Sequence, residues 1–316
     1  MILSASRRTD IPNYYSEWFI NRVKEGFLYV RNPVSVHQIS RINLSPSFVD
    51  CIVFWTKNPL PMMDKLDDLQ SYPYYFQFTL TGYGKEIEPN LPDKRKTMIP
   101  AFRELSRKIG KERVIWRYDP IIFTDRYTEE YHRKAFQAIA ESLCGYTEQV
   151  VISFVDLYAK TKKNMQGTHM VSVSQRRMEE FASELSRIAR TNNMRIAACA
   201  EELDLSACGI ERSSCIDQQL IERLIGCRID AQKDKNQRGE CRCIESVEVG
   251  AYHTCRSGCR YCYANDSAGR VKENCRLYHP ESPLLCGVIS DKDIITERRM
   301  KSLKIEQMNL FDLVNE

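Results

Sequence analysis

Short apolar runs that alternate with amphipathic stretches are the feature that most restricts the fold of this chain. Several runs are continuously β-branched or aromatic, as in CIVFWT, VIWRY and VVISFV. Strands that are apolar on both faces are typical of a parallel sheet covered by helices. Repeated strand–helix units therefore predict an α/β barrel or a doubly wound sheet. The predicted strands are residues 2–5, 27–30, 51–56, 75–80, 114–118, 150–155, 194–199 and 244–252.

Amphipathic segments between these strands predict the covering helices. The segment Ser16–Glu25 places Trp18, Phe19 and Val23 on one side and ends at Gly26, a residue typical of helix C-termini. The same pattern predicts helices over residues 94–109, 128–143, 174–190 and 213–226.

Length and composition exclude several classes of protein. The 316 residues, 43% of them hydrophobic, can bury the core of one large domain or two ordinary ones, and are not those of a disordered or collagen-like chain. No apolar run reaches the roughly 18–20 residues that cross a bilayer, and MILSASRRTD lacks the pattern of a secretory signal. We therefore expect a cytoplasmic protein with no membrane partner. The net charge of +4 allows a nucleic-acid partner without requiring one.

The cysteines are unevenly placed along the chain and point to metal chemistry. Of the 13 cysteines, only Cys51 and Cys144 precede position 199, and the others fall between Cys199 and Cys286. An odd number without a secretory signal argues against a disulfide framework.

The sharpest group is Cys255-Arg-Ser-Gly-Cys259-Arg-Tyr-Cys262, a C-x₃-C-x₂-C spacing. Three thiolates on one short loop can ligate three irons of a [4Fe–4S] cube and leave the fourth iron open to a small chelating molecule. One alternative is a closed zinc site completed by Cys241, Cys243 or Cys275, and another is a set of inert buried thiols.

This spacing resembles the signature of the radical S-adenosylmethionine (SAM) enzymes. The resemblance implies that SAM chelates the open iron, that an electron donor such as flavodoxin or ferredoxin reduces the cluster, and that a 5′-deoxyadenosyl radical abstracts a substrate hydrogen. It also implies a full or partial (β/α) TIM-like barrel with the cluster loop after its first strand. Because the motif here follows the last predicted strand, we expect a circularly permuted barrel in which strand 244–252 lies parallel to and beside strand 2–5.

This barrel is expected to span residues 1–263. Strand 244–252 and the cluster loop 255–262 would close it, and residues 264–316 would form an irregular C-terminal extension.

Two longer resemblances extend beyond the cysteines. The segments SASRRTDIP, FWTKNP, VIWRYDPII, CAEELDLS and IESVEVGAYHTC resemble a bacterial family called domain of unknown function 1848, described as carrying C-terminal cysteines similar to the radical SAM cluster. The order TLTGYGKEIEPNLPDKRK…VIWRYDPII is similar to spore photoproduct lyase, which implies a nucleic-acid substrate and a role in DNA repair or modification. The alternatives are radical modification of a small metabolite or peptide, and a non-catalytic, metal-stabilised module that binds nucleic acid or a sliding clamp.

Polar residues at the carboxyl ends of the predicted strands are candidates for SAM binding, because active residues of barrels lie at those ends. Arg117, or else Lys57, would neutralise the SAM carboxylate, and Asp10 or Thr56 would hold its ammonium group or ribose hydroxyls. The adenine would lie near Tyr261. The alternative for each residue is a helix cap or a buried ion pair.

A second candidate metal site consists of Cys199, Cys215, Cys241 and Cys243. Four thiolates from three segments would hold either an auxiliary [4Fe–4S] cluster or a structural zinc ion. The alternative is that these cysteines are small hydrophobic core residues.

The C-terminal segment Gln307-Met-Asn-Leu310-Phe311 resembles the peptide by which bacterial repair and replication proteins bind the DNA sliding clamp. A chain terminus suits such a peptide because it is exposed. The alternative is a terminal helix whose Leu310 and Phe311 pack on the domain.

Overall fold

The computed structural model describes residues 1–155 and 159–305, without the side chains of residues 159, 160 and 162. Eleven strands are found in this part of the chain, and eight of them form one parallel sheet in the order β10-β1-β4-β5-β6-β7-β8-β9. The strands are β1 (Ile2–Ala5), β2 (Phe27–Arg31), β3 (Gln38–Asn43), β4 (Cys51–Thr56), β5 (Tyr74–Thr79), β6 (Val114–Ile121), β7 (Gln149–Phe154), β8 (Arg195–Cys199), β9 (Glu211–Ser213), β10 (Val247–Glu248) and β11 (Ile294–Glu297).

Helices connect successive strands of this sheet. Eight α-helices occur in the described residues. In addition, a 3₁₀-helical segment of ten residues, Leu60–Leu69, connects β4 to β5. The helices are α1 (Ile11–Tyr14), α2 (Ser16–Glu25), α3 (Ile99–Ile109), α4 (Glu129–Leu143), α5 (Ala159–Asn164), α6 (Gln175–Thr191), α7 (Gln218–Ile225) and α8 (Ala268–Arg276).

The main sheet is open, so the predicted circularly permuted barrel, full or partial, is wrong. Strands β10 and β9 form its two edges, and within the described residues they do not pair with each other. Both are short: β10 has two residues and β9 has three. Edge strands of this length offer few backbone groups for closing a barrel, although the repeated strand–helix units correctly indicate an α/β fold.

The last strand of the main sheet lies beside the first. Strand β10 pairs with β1 in parallel, with Leu3 opposite Val247 and Ser4 opposite Glu248. The expected neighbourhood of segment 244–252 and strand 2–5 is therefore confirmed, over a much shorter ladder than predicted. This pairing brings the cysteine loop to the edge where the loops after β1 and β4 emerge.

A second sheet contains three strands in the order β11-β3-β2. The predicted strand 27–30 belongs to this sheet, where β2 pairs with β3 in the antiparallel direction. Strand β11 and helix α8 also correct the prediction of an irregular extension after residue 263, at least as far as residue 305. The sequence pattern misses β11 because all four of its residues are exposed and show no apolar alternation.

The core is rich in aromatic side chains. Trp18 and Phe19 of α2 pack beneath the sheet, and Phe19 meets Phe54 of β4 at a ring-centroid distance of 5.3 Å. A search of the described helices finds none that is long and apolar enough to span a bilayer.

Candidate functional site

A cavity of about 750 Å³ opens at the carboxyl ends of the main-sheet strands. Its lining includes residues that follow β1 and β4, residues near the ends of β6, β7 and β8, and the loop after β10. Both cysteine groups line it: Cys255, Cys259 and Cys262 from the loop, and Cys199, Cys215, Cys241 and Cys243 from three other segments. A volume of this size is within the range of small-molecule sites.

The carboxylate of Glu248 attaches the strand before the cysteine loop to the loop after β1. It accepts hydrogen bonds from Ser4 Oγ at 2.8 Å, from the backbone N–H of Arg7 at 3.1 Å, and from Ser6 Oγ. The backbone N–H of Gly250 donates to the same carboxylate at 3.0 Å. These bonds fix the direction in which the chain leaves β10 and enters the cysteine loop.

The cysteine loop is then held from outside by hydrogen bonds to its backbone. The N–H of Arg260 donates to the carbonyl of Ile87 at 3.0 Å, and Asn90 Nδ2 donates to the carbonyl of Arg256 at 2.7 Å. Two tyrosine hydroxyls make further contacts, Tyr15 with the Thr254 carbonyl at 2.6 Å and Tyr263 with the Arg7 carbonyl at 2.7 Å.

Burial favours the protonated thiols of Cys255 and Cys259. It raises the pKa of Cys255 to about 11 and raises the pKa of Cys259 still further, against the lowering effect of Lys57. Because only a thiolate ligates a metal, binding there would release protons.

The donor atoms of the loop suit an iron–sulfur cluster, but the orientation of its three cysteine side chains does not match that of cluster ligands. Cys255, Cys259 and Cys262 are three thiols of one short loop, and all three line one cavity. Nevertheless, among the residues that the structure describes, no group of three or more His, Cys, Asp or Glu side chains is arranged to hold a metal ion. The three side chains would have to turn towards a common point to ligate a cluster.

A buried ion-pair network lies behind the loop. Lys57 Nζ donates to Glu88 Oε1 at 2.9 Å and to the Tyr261 hydroxyl at 2.6 Å, while Lys94 and Tyr261 also hydrogen-bond to Glu88. Burial alone would raise the pKa of Glu88, but the ammonium groups of Lys57 and Lys94 outweigh it and hold that pKa far below its usual range. Tyr261 thus connects the cysteine motif to the segments that follow β4 and β5, and the place of an adenine ring near it stays a prediction.

Asp10 and Thr56 lie together at the mouth of the cavity. The carboxylate of Asp10 accepts hydrogen bonds from Thr56 Oγ1 and the Lys57 N–H, both at 2.8 Å, and from the Asn13 N–H at 3.1 Å, which caps α1. Burial raises the pKa of Asp10 to about 6 despite these bonds.

Arg117 faces the second cysteine group. Its guanidinium donates to Asp119 at 2.9 Å from Nε, to Gln77 Oε1 at 3.3 Å and to Cys215 Sγ at 3.1 Å. It is 4% exposed, so most of its N–H groups already have partners inside the protein. The proposed contact of Arg117 with a SAM carboxylate stays a prediction, and this geometry does not favour it.

The second cysteine group forms a chain of contacts. Cys199 Sγ lies 3.1 Å from Cys215 Sγ, and the thiol of Cys215 interacts with that of Cys243, which in turn interacts with Cys241. All four are buried, with Cys243 only 1% exposed. The structure therefore brings together the four residues that were grouped from the sequence.

Glu88, Glu248 and Arg8 also belong to the site, although sequence patterns alone do not single out the two glutamates. Glu88 is in a loop and Glu248 is in a short edge strand, so neither has a periodic signal. Arg8 follows β1, so it lies at one of the strand ends where site residues are expected. The clamp-like residues Gln307, Leu310 and Phe311 lie outside the described residues.

Comparison with known proteins identifies the family. The model of a family described as domain of unknown function 1848 (DUF1848) matches residues 2–264, and the chain belongs to this family. No curated protein matches the sequence. Among solved structures, a protein of Bacteroides thetaiotaomicron provisionally described as an alpha-L-fucosidase is 12% identical over 58% of this chain and 74% of its own, with a TM-score of 0.23. A likeness this weak has no bearing on fold or activity.

Proposed function

We propose that this member of the DUF1848 family is a radical SAM enzyme in which Cys255, Cys259 and Cys262 hold a [4Fe–4S] cluster. The observation that carries the proposal is the position of the C-x₃-C-x₂-C loop. It follows a strand of a parallel sheet directly, and its three cysteines line a cavity of about 750 Å³ together with polar residues from neighbouring strand ends.

A cluster with an open iron supplies one-electron reduction of the SAM sulfonium, which starts hydrogen abstraction from the substrate. The chain's own residues would bind and orient. Lys57, held by Glu88 and Tyr261, keeps a positive charge close to Cys259 and so favours thiolate ligands. The Asp10 carboxylate supplies a negative charge for the SAM ammonium group.

Arg8 is the cation best placed for the SAM carboxylate. It lines the cavity and is half-buried, and its guanidinium lies over the Tyr252 ring at 4.7 Å. No carboxylate of residues 1–155 or 159–305 forms an ion pair with it, whereas Arg7 and Arg117 pair with Glu248 and Asp119. A cation already desolvated in part and not neutralised by the protein binds an anionic ligand most strongly.

The substrate class is proposed to be nucleic acid, as the likeness to spore photoproduct lyase implies. The cavity supports it through its cationic lining, which includes Arg7, Arg8 and Arg238. When oligonucleotides are added to the reconstituted, reduced protein with SAM, they should be modified. Modification of a small metabolite or peptide instead would overturn the substrate class but not the radical chemistry.

Anaerobic reconstitution with iron and sulfide tests the proposal. The wild type should bind about four irons per chain and convert SAM to 5′-deoxyadenosine when reduced. Cys259→Ser should lose both properties, because the open-iron site needs all three ligands. Cys51→Ser is the matched control, since Cys51 is equally buried and lies outside the cavity. Binding of zinc in place of iron, or binding of iron without formation of 5′-deoxyadenosine, would refute the proposal that the protein is a radical SAM enzyme.

A further inference from the structure

We propose that Cys199, Cys215, Cys241 and Cys243 form a mononuclear tetrathiolate site for a divalent thiophilic metal of the zinc type. The site lines the same cavity as the C-x₃-C-x₂-C loop but shares no ligand with it. Unlike that loop, it leaves no coordination position open, so its metal would fix the protein rather than take part in SAM chemistry.

The close spacing of the sulfur atoms favours a single metal ion over an iron–sulfur cluster. Four thiolates at about 2.3 Å from a tetrahedral zinc ion stand about 3.8 Å from one another. The sulfurs of Cys199 and Cys215 are 3.1 Å apart, and the Cys243 thiol interacts with those of both Cys215 and Cys241. Cysteines around a four-iron cube are separated by a whole cluster edge plus two Fe–S bonds, which is a much wider spacing.

The surroundings fit a site with net negative charge. Four thiolates and one divalent ion carry a charge of about −2, which is costly to bury without cations nearby. Arg117 Nη1 already lies 3.1 Å from Cys215 Sγ, and Arg7 is close enough to Cys243 and Cys215 for electrostatic attraction. The backbone N–H of Ile216 also donates to Cys243 Sγ at 3.4 Å, the kind of contact that orients a ligand.

The topology gives the site a structural task. Cys199 ends β8, Cys215 follows β9, and Cys241 and Cys243 lie in the segment that leads to β10. Strands β9 and β10 are the two edge strands of the main sheet. A metal ion bound by all four cysteines would therefore link one edge strand to the segment that leads into the other. Hydrogen bonds already lie along this path, from Tyr75 and Gln77 of β5 to the Cys215 carbonyl at 2.7 and 2.9 Å.

Binding is a proton exchange without oxidation or reduction. Each thiol loses its proton to solvent, four S–metal bonds form, and the metal ion gives up its water ligands. As the four thiols form a chain rather than a closed group, Cys199 and Cys241 at its ends would have to turn inward. All four residues already line the same cavity.

The test uses the full chain with Cys255, Cys259 and Cys262 all changed to Ser, so that the other proposed site is absent. This variant should bind about one zinc ion per chain, and about one Co²⁺ with the visible absorption of a tetrahedral thiolate complex. Adding Cys243→Ser should abolish stoichiometric binding of both, whereas adding Cys51→Ser, equally buried, should leave it unchanged. Adding Cys241→Ser, nearer the surface, repeats the test if the first variant does not fold.

Absence of bound metal in the starting variant, retention of metal in both the Cys243 and Cys241 variants, or about four irons in place of one ion would overturn the proposal. A disulfide between Cys199 and Cys215 in protein handled without oxygen would do the same. Each of these outcomes leaves the C-x₃-C-x₂-C proposal untouched, because its ligands are missing from every variant.

Discussion

At the scale of single residues, the cationic side chains that line the cavity are of two kinds. Some form ion pairs within the protein, and others are available to bind a ligand. Arg117 is buried on Asp119, Gln77 and a cysteine sulfur, and Lys57 is shared between Glu88 and Tyr261. The Arg8 guanidinium lies over the Tyr252 ring, and it forms no ion pair with a carboxylate of the described residues. Ligand affinity should therefore depend most on Arg8.

Replacing Arg8 by Ala should weaken SAM binding about ten- to a hundred-fold, since a charge-assisted hydrogen bond contributes about 1.5–3 kcal/mol. Equilibrium dialysis with labelled SAM on the reconstituted protein measures this, and the iron content should stay unchanged. Arg41→Ala is the control, because Arg41 is also half-buried but lies in the second sheet. If Arg8→Ala binds SAM as tightly as Arg41→Ala does, Arg8 has no part in the site.

Residues at strand ends could be selected from the sequence, but their partners could not. Asp10, Thr56, Lys57 and Arg117 were all expected at the cavity, and all four line it. Which of them is already neutralised depends on contacts across the chain. The Lys57–Tyr261 contact, for example, joins residues 204 positions apart. Periodicity carries no information about such pairs.

At the scale of elements, the short strand β10 determines where the cysteine loop lies. Only two of its residues pair with β1, so much of its attachment comes from the Glu248 carboxylate and from the close approach of Gly250 to Ser6. A Cβ at position 250 would overlap Ser6 Oγ and stand 2.5 Å from Ser6 Cβ. Glycine is thus needed there for space, not for an unusual φ angle.

The variant Gly250→Ala should lower the free energy of unfolding by about 1–3 kcal/mol through overpacking, measured by denaturant titration. It should also reduce the iron retained after reconstitution, because the loop would shift away from β1. In Gly239→Ala the added methyl meets no atom within 4 Å, so its stability should be nearly unchanged. Equal stability of the two variants would show that β10 does not pack on Ser6 as described.

The length of this strand was not predictable from its sequence. IESVEVGAY alternates apolar and polar residues as a nine-residue strand would, yet only Val247–Glu248 forms a strand. The Val249 N–H still donates to the Ser4 carbonyl of β1 at 3.0 Å. The next N–H, that of Gly250, donates to the Glu248 carboxylate instead, beyond the point where β1 ends at Ala5.

At the scale of the whole molecule, the alternation of strands and helices predicted an α/β fold with a parallel sheet, but it wrongly favoured a closed barrel over an open sheet. Barrel and open sheet share the same local pattern, and they differ in whether the two edge strands meet. Here the edges are β10 and β9, with two and three residues. The open sheet nevertheless gathers the loops after β1, β4, β7 and β8, the end of β6 and the cysteine loop around one cavity.

The central claim is that the C-x₃-C-x₂-C loop carries a cluster with an open iron that takes SAM. Electron paramagnetic resonance of the reconstituted, dithionite-reduced protein, recorded with and without SAM, tests it most directly. The account predicts the signal of a reduced [4Fe–4S] cluster whose g values change when SAM is added, and no such signal in Cys259→Ser. A cluster signal that SAM leaves unchanged, or reconstituted protein with no cluster signal at all, would contradict it.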